Sequence, residues 1–190
     1  MPMASPLPHG IRRCRSRRRA IWSRLRSGAL GLLLGAAAAL DGHAAETPPT
    51  IAVLPIKLLD TSGEPTDQAP QHGVRLARMA DDLAADLTRT GRYRATVLPA
   101  AVLERDCPTG KAACLLEAAR RQGAALVFVG VVHKSSTLIL QIWARLADVH
   151  TGWDVFSRDL NFRGDTDEAW QRAETFLVAQ MRDTDRSRGD

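Results

Sequence analysis

Residues 51–182 predict an α/β (α+β) domain built on a single mixed β-sheet of about five strands with helices packed on it. Three observations lead there. The first half alternates apolar runs with amphipathic segments, as parallel βαβα units do. The second half carries two long runs of alternating polarity joined by a polar turn, the mark of antiparallel pairing. A last amphipathic segment closes the chain, giving the order β-α-β-α-β-β-β-α.

Each element follows from its own pattern. Ile51 to Leu59 is apolar and partly β-branched, hence a buried strand, with Pro55 marking a bulge or an edge position. Asp60 to His72 is rich in turn formers and reads as a loop. From Val74, apolar Leu76, Met79, Ala80, Leu83 and Leu87 recur at helical spacing until Gly91 ends the helix. Tyr93 to Leu98 alternates as a second strand, and Ala100 to Arg105 forms a helical turn. Ala112 to Gln122 is a helix closed by Gly123, and Ala125 to Val132 is the most apolar stretch, expected at the sheet centre.

Thr137 to Val149 and Trp153 to Phe162 alternate on either side of Asp148-Val149-His150-Thr151-Gly152, a hairpin turn. The last helix is expected over 167–181, capped by Asp165 or Thr166, with Glu168 placed for a capping box. Its inner stripe is read as Trp170, Ala173, Phe176, Leu177 and Gln180. Trp143, Trp153 and Trp170 are expected to help fill the core. The polar residues 183–190 are expected to form a disordered tail.

Residues 1–44 read as an export signal. Eight arginines between Arg12 and Arg26 precede the apolar run Ala29 to Leu40, which is shorter than a membrane-spanning helix. Small residues at Gly42 and Ala44 fit a cleavage site, and residues 45–50 form a linker. Ser16-Arg17-Arg18-Arg19 leaves twin-arginine export open beside general secretion. The expected location is therefore periplasmic, with no membrane span after cleavage.

The signal also changes the charge. The chain carries 26 basic and 21 acidic residues; without its first 44, which hold eight arginines and one aspartate, 18 face 20, net −2. The basic pI thus gives no argument for a nucleic-acid partner. Of the three cysteines, Cys14 lies in the signal. Cys107 and Cys114 flank a Pro-Thr-Gly turn, and in an oxidising compartment they are expected to form a disulfide.

Catalytic signatures are missing from the sequence. It has no phosphate-binding glycine loop, nucleophile elbow or HExxH. His72, His133 and His150 stand in three separate segments. The expectation is a non-enzyme with no cofactor and no metal. The acidic run Asp165-Thr166-Asp167-Glu168 lacks the twelve-residue calcium-loop pattern and is read as helix capping. Candidate binding residues are Asp60 and the pair His133-Lys134, because ligand sites in such sheets lie beyond strand ends.

Several segments, taken in order, resemble the amino-terminal domain of TolB and related CsgG-like secreted domains. They are Ile51-Ala52-Val53-Leu54-Pro55, Thr90-Gly91-Arg92-Tyr93, Gln122-Gly123-Ala124 leading into Leu126-Val127-Phe128-Val129-Gly130, and the turn at Asp148–Gly152. That turn and Arg163-Gly164-Asp165-Thr166-Asp167-Glu168-Ala169-Trp170 also resemble a bacterial secreted family of unknown function. The TolB-like resemblance implies envelope work through protein contacts rather than catalysis. The expected partner is another periplasmic or envelope protein; the alternative is a periplasmic domain binding a small molecule or metal near Asp60, His133 and Lys134.

Overall fold

A computed structural model describes residues 47–189, with side chains to 184. The expected signal, with Cys14 and the start of the linker, lies outside the described residues. Strands β1 (Thr50–Val53) and β2 (Lys57–Asp60) are followed by helix α1 (Ala69–Arg89) and strand β3 (Arg94–Val97). Helices α2 (Ala100–Asp106) and α3 (Ala112–Arg121) lead into β4 (Leu126–Lys134), β5 (Ile139–Asp148), β6 (Asp154–Arg163) and α4 (Asp167–Gly189).

One sheet runs in the order β3-β1-β4-β5-β6, with β2 also paired to β4. The β3, β1 and β4 strands are parallel, and β5 and β6 return antiparallel. The expected mixed sheet is present, but its first strand is split. β1 pairs with Leu126–Phe128, and β2 resumes alongside Val131–Lys134. Leu54 still donates to the Phe128 carbonyl at 3.0 Å, whereas Pro55 has no N–H to continue the ladder. Opposite the break stands Gly130, where a Cβ would meet Phe128 Cε1 at 3.0 Å and Ile56 Cγ1 at 3.3 Å. A side chain at Gly130 would have to displace the Phe128 ring or Ile56.

Strand alternation sends Ile51, Val53, Phe128 and Val132 to one face and Ala52, Leu54 and Val127 to the other. The first face is covered by α1 and α4, through Met79, Leu83, Leu87, Trp170, Leu177 and Met181. Ala118 and Ala119 of α3 cover the second. β4 is apolar on both faces because it lies beneath both layers. The Cys107–Cys114 bridge ties the end of α2 to the first turn of α3, with Cα atoms 5.5 Å apart.

Several local expectations change. His72 lies in a helix rather than a loop, because α1 begins at Ala69 with Pro70 in its first turn, a position proline favours. The last helix continues to Gly189 in place of the disordered tail expected from 183. Nothing there breaks the helix before Gly189, and each added residue adds one backbone bond. Its inner stripe is Trp170, Ala173, Glu174, Leu177 and Met181, whereas Phe176 is 51% exposed. Trp170 is buried, but Trp153 lies in the β5–β6 connection and is 77% exposed. Trp143 is half-buried on the opposite sheet face, stacked on His133.

Candidate functional site

The C-terminal end of β4 places consecutive residues on opposite faces, so His133 and Lys134 do not share a site. Lys134 points under α1 and α4 and is fully buried. Asp60, its register partner on β2, comes within 3.7 Å of the ammonium. On the other face, His133 Nε2 lies 2.8 Å from Thr61 Oγ1, with its ring 5.3 Å from that of Trp143. The structure thus joins Asp60 to Lys134 and leaves His133 apart.

Further groups surround the lysine. The loop between β2 and α1 folds over it, and Nζ donates to Glu64 Oε2 at 2.7 Å and to Gln68 Oε1 at 3.0 Å. Asp165 Oδ2 lies 3.5 Å from Nζ and 2.8 Å from His72 Nε2. The other carboxylate oxygen of Asp165 accepts from Arg75 Nη1 at 2.7 Å and from the Trp170 indole at 3.0 Å. Arg75 reaches on to Asp167 at 2.7 Å.

The β6–α4 connection makes this possible. Gly164 adopts φ +89°, a left-handed conformation that glycine takes at no steric cost, and Asp165 follows it into the interior. Thr166 takes the capping role: its Oγ1 accepts from the Ala169 N–H at 3.3 Å and donates to Glu168 Oε2 at 3.2 Å. Asp165 is therefore the hub of a buried polar cluster rather than a helix cap.

The electrostatics follow from these partners. Burial works against the Lys134 ammonium, but Glu64, Asp60 and Asp165 raise its pKa above the ordinary value. Burial likewise pushes the Asp165 carboxyl up, and donation from His72 and Trp170 with the charge of Arg75 brings it below normal. Asp60 is lowered by two hydrogen bonds from Ser62, and Glu64 by its bond from Lys134. Each of these four groups is held in its charged form. Chemically, the cluster clamps the β2–α1 loop, α1, β4 and the start of α4 together. The lysine has no exposed surface with which to meet a ligand.

One ionisable group in the same layer lacks such partners. Glu174 on α4 is 3% exposed, and its Oε1 has no hydrogen-bond partner. Burial, then Asp86 and Asp82 across on α1, push its pKa up to about 7. It lines a cleft of about 390 Å³ between α1 and α4, with Val74, Arg78, Asp82 and Trp170. Among the described residues no group of three or more His, Cys, Asp or Glu could hold a metal ion.

Sequence reasoning finds Asp60 and Lys134 from their strand ends but misses Glu64, Gln68 and Asp165 as partners of Lys134, and His72 and Arg75 as partners of Asp165. The available signal is Pro70: a helix starting there puts His72 and Arg75 on one face, three residues apart.

A family model described as a protein of unknown function (DUF2380) matches residues 49–181. The chain belongs to this family. The match covers the whole sheet and the buried cluster, and agrees with the resemblance to a secreted family of unknown function. No curated protein matches the sequence. Similar solved structures include PelC from Paraburkholderia phytofirmans, a dodecamer, at 20% identity and TM-score 0.45, over 70% of this chain and 84% of that one. The lipoprotein GNA1162 from Neisseria meningitidis is similar at 20% identity and TM-score 0.44, over 70% and 96%. TolB from Acinetobacter baumannii is similar at 15% identity and TM-score 0.45, over 73% of this chain and 28% of that one.

Proposed function

We propose that this member of the family is an exported, non-catalytic domain that works in the periplasm by binding another envelope protein. The observation that carries the reading is the set of large apolar side chains left at the surface. Trp153 is 77% exposed, Leu138 70%, Val74 67%, Ile139 54% and Phe176 51%. Single exposed apolar side chains are ordinary on protein surfaces, but adjacent ones, as at Leu138-Ile139, mark a surface that a partner can cover. The basic, then apolar, then small-residue order of the first 44 residues supports export. Among the described residues no helix is long and apolar enough to cross a membrane.

The alternative, a ligand site at Asp60, His133 and Lys134, is weakened by geometry. Lys134 is sealed and fully partnered, and His133 faces away from it. Photo-crosslinking in intact cells from positions 138, 153 and 176 tests the proposal. A recurrent adduct with one envelope protein is expected. Absence of any adduct from all three, with the protein exported and folded, would overturn it.

A further inference from the structure

The two edges of the sheet differ. The β3 edge strand has four residues, while the β6 edge strand has ten and no proline. Among the described residues β6 pairs with β5 alone, so its outer backbone groups face away from the sheet. Natural proteins shield such edges with short strands, prolines, charged side chains, bulges or covering elements; β6 has charged side chains and a register shift near its start, but is neither short nor interrupted by proline. Here a groove of about 560 Å³ runs between β6 and α4 instead, floored by Leu160, Phe162, Ala169 and Ala173 and flanked by Phe176.

Charge distinguishes this groove from a generic apolar patch. Arg163 and Arg172 line it, and Arg158 lies along the same strand with its guanidinium 5.9 Å from the Phe156 ring centre. None of the three forms an ion pair among the described residues. The acids of β6 are already engaged: Asp159 lies 2.8 Å and Asp154 3.9 Å from Arg145. The edge therefore presents unpaired backbone groups, an apolar floor and unbalanced positive charge.

We propose that the β6 edge and its groove dock an extended, acidic segment of the partner protein by strand addition. This rests on the protein-binding reading and assigns it a surface. Main-chain bonds to β6 would supply affinity, apolar side chains on one face of the added strand would fill the groove over Leu160 and Phe162 beside Arg172, and acidic side chains on its other face would meet Arg163.

The test uses two synthetic peptides in which Val and Ile alternate with either Glu or Lys. The glutamate peptide is expected to bind about tenfold more tightly than the lysine peptide and to slow amide exchange along β6. The variant R163E/R172E, checked for unchanged thermal unfolding, should reverse that preference. Failure of the glutamate peptide to protect β6, an unchanged preference in the variant, or a dimer paired through β6 would each overturn the proposal. If the partner found by photo-crosslinking is captured equally by R163E/R172E, the edge is refuted and the protein-binding reading stands. If no partner is crosslinked although the peptide results hold, the protein-binding reading fails instead.

Discussion

Two carboxylates in the layer beneath α1 and α4 are both almost wholly buried, yet they end in opposite states. Asp165 meets His72, Arg75, Trp170 and Lys134 and is held below its ordinary pKa. Glu174, on α4 in the same layer, meets like charges from Asp86 and Asp82, leaves Oε1 unpartnered, and rises to about 7. Burial acts in the same direction on both. The number and sign of the groups that face each carboxylate decide the outcome. Buried charge is therefore a structural clamp in one place and a local instability in the other.

The largest expected effect comes from breaking the clamp. Lys134→Met leaves Glu64 and Asp60 without their cation, while Asp165 keeps Arg75, and is expected to lower unfolding free energy by about 3 kcal/mol. Urea unfolding measures this; a loss below about 1 kcal/mol would show that the cluster does not clamp the fold.

Next is the reverse experiment on Glu174. Its folded pKa of about 7 lies above the ordinary value of 4.5, so the native state binds more protons between those values. Stability from this group is full below about 4.5 and is lost as pH rises to about 7. Glu174→Gln should raise stability at pH 8 by up to about 3 kcal/mol and flatten the curve above pH 5. An unchanged curve in thermal melts would place the carboxylate in contact with water.

Asp165→Asn should cost about 2 kcal/mol, less than the lysine change, because Lys134 keeps Glu64 and Arg75 keeps Asp167. The sign of its pH dependence is opposite to that of Glu174. The folded pKa of Asp165 is depressed, so its contribution is present above the unfolded value of about 3.8 and lost as pH falls further. Wild-type melting temperature should therefore peak between about pH 4.5 and 6, with Glu174 setting the alkaline side and Asp165, Asp60 and Glu64 the acid side. The smallest effect is expected for His133→Ala, about 1 kcal/mol or less in urea unfolding. A loss above about 2 kcal/mol in that variant would show that His133 and Thr61 help hold the strand end together.

The strands were legible because apolar alternation and β-branching are local signals, and the Cys107–Cys114 bridge because its loop is short. Asp60 and Lys134 were legible as strand ends. Glu64 and Gln68 were not, since a turn-rich loop carries no periodicity to show which way a side chain points. Asp165 suited a helix cap equally well by spacing; only the left-handed Gly164 turns it inward while Thr166 caps the helix. On α4, Glu174 and Phe176 stand two residues apart, and polarity alone favours burying the phenylalanine. Packing against α1 and β6 together fixes the rotation that buries the glutamate instead.

By itself the sequence determined the signal-like first segment, the near-neutral charge of the remaining chain, the order of elements apart from the split first strand, the bridge and the family. Each depends on neighbours along the chain. The tertiary structure decided which ions meet and which do not, because Lys134, Glu64 and Asp165 lie up to 101 residues from one another and become neighbours only when the sheet and its two helices close.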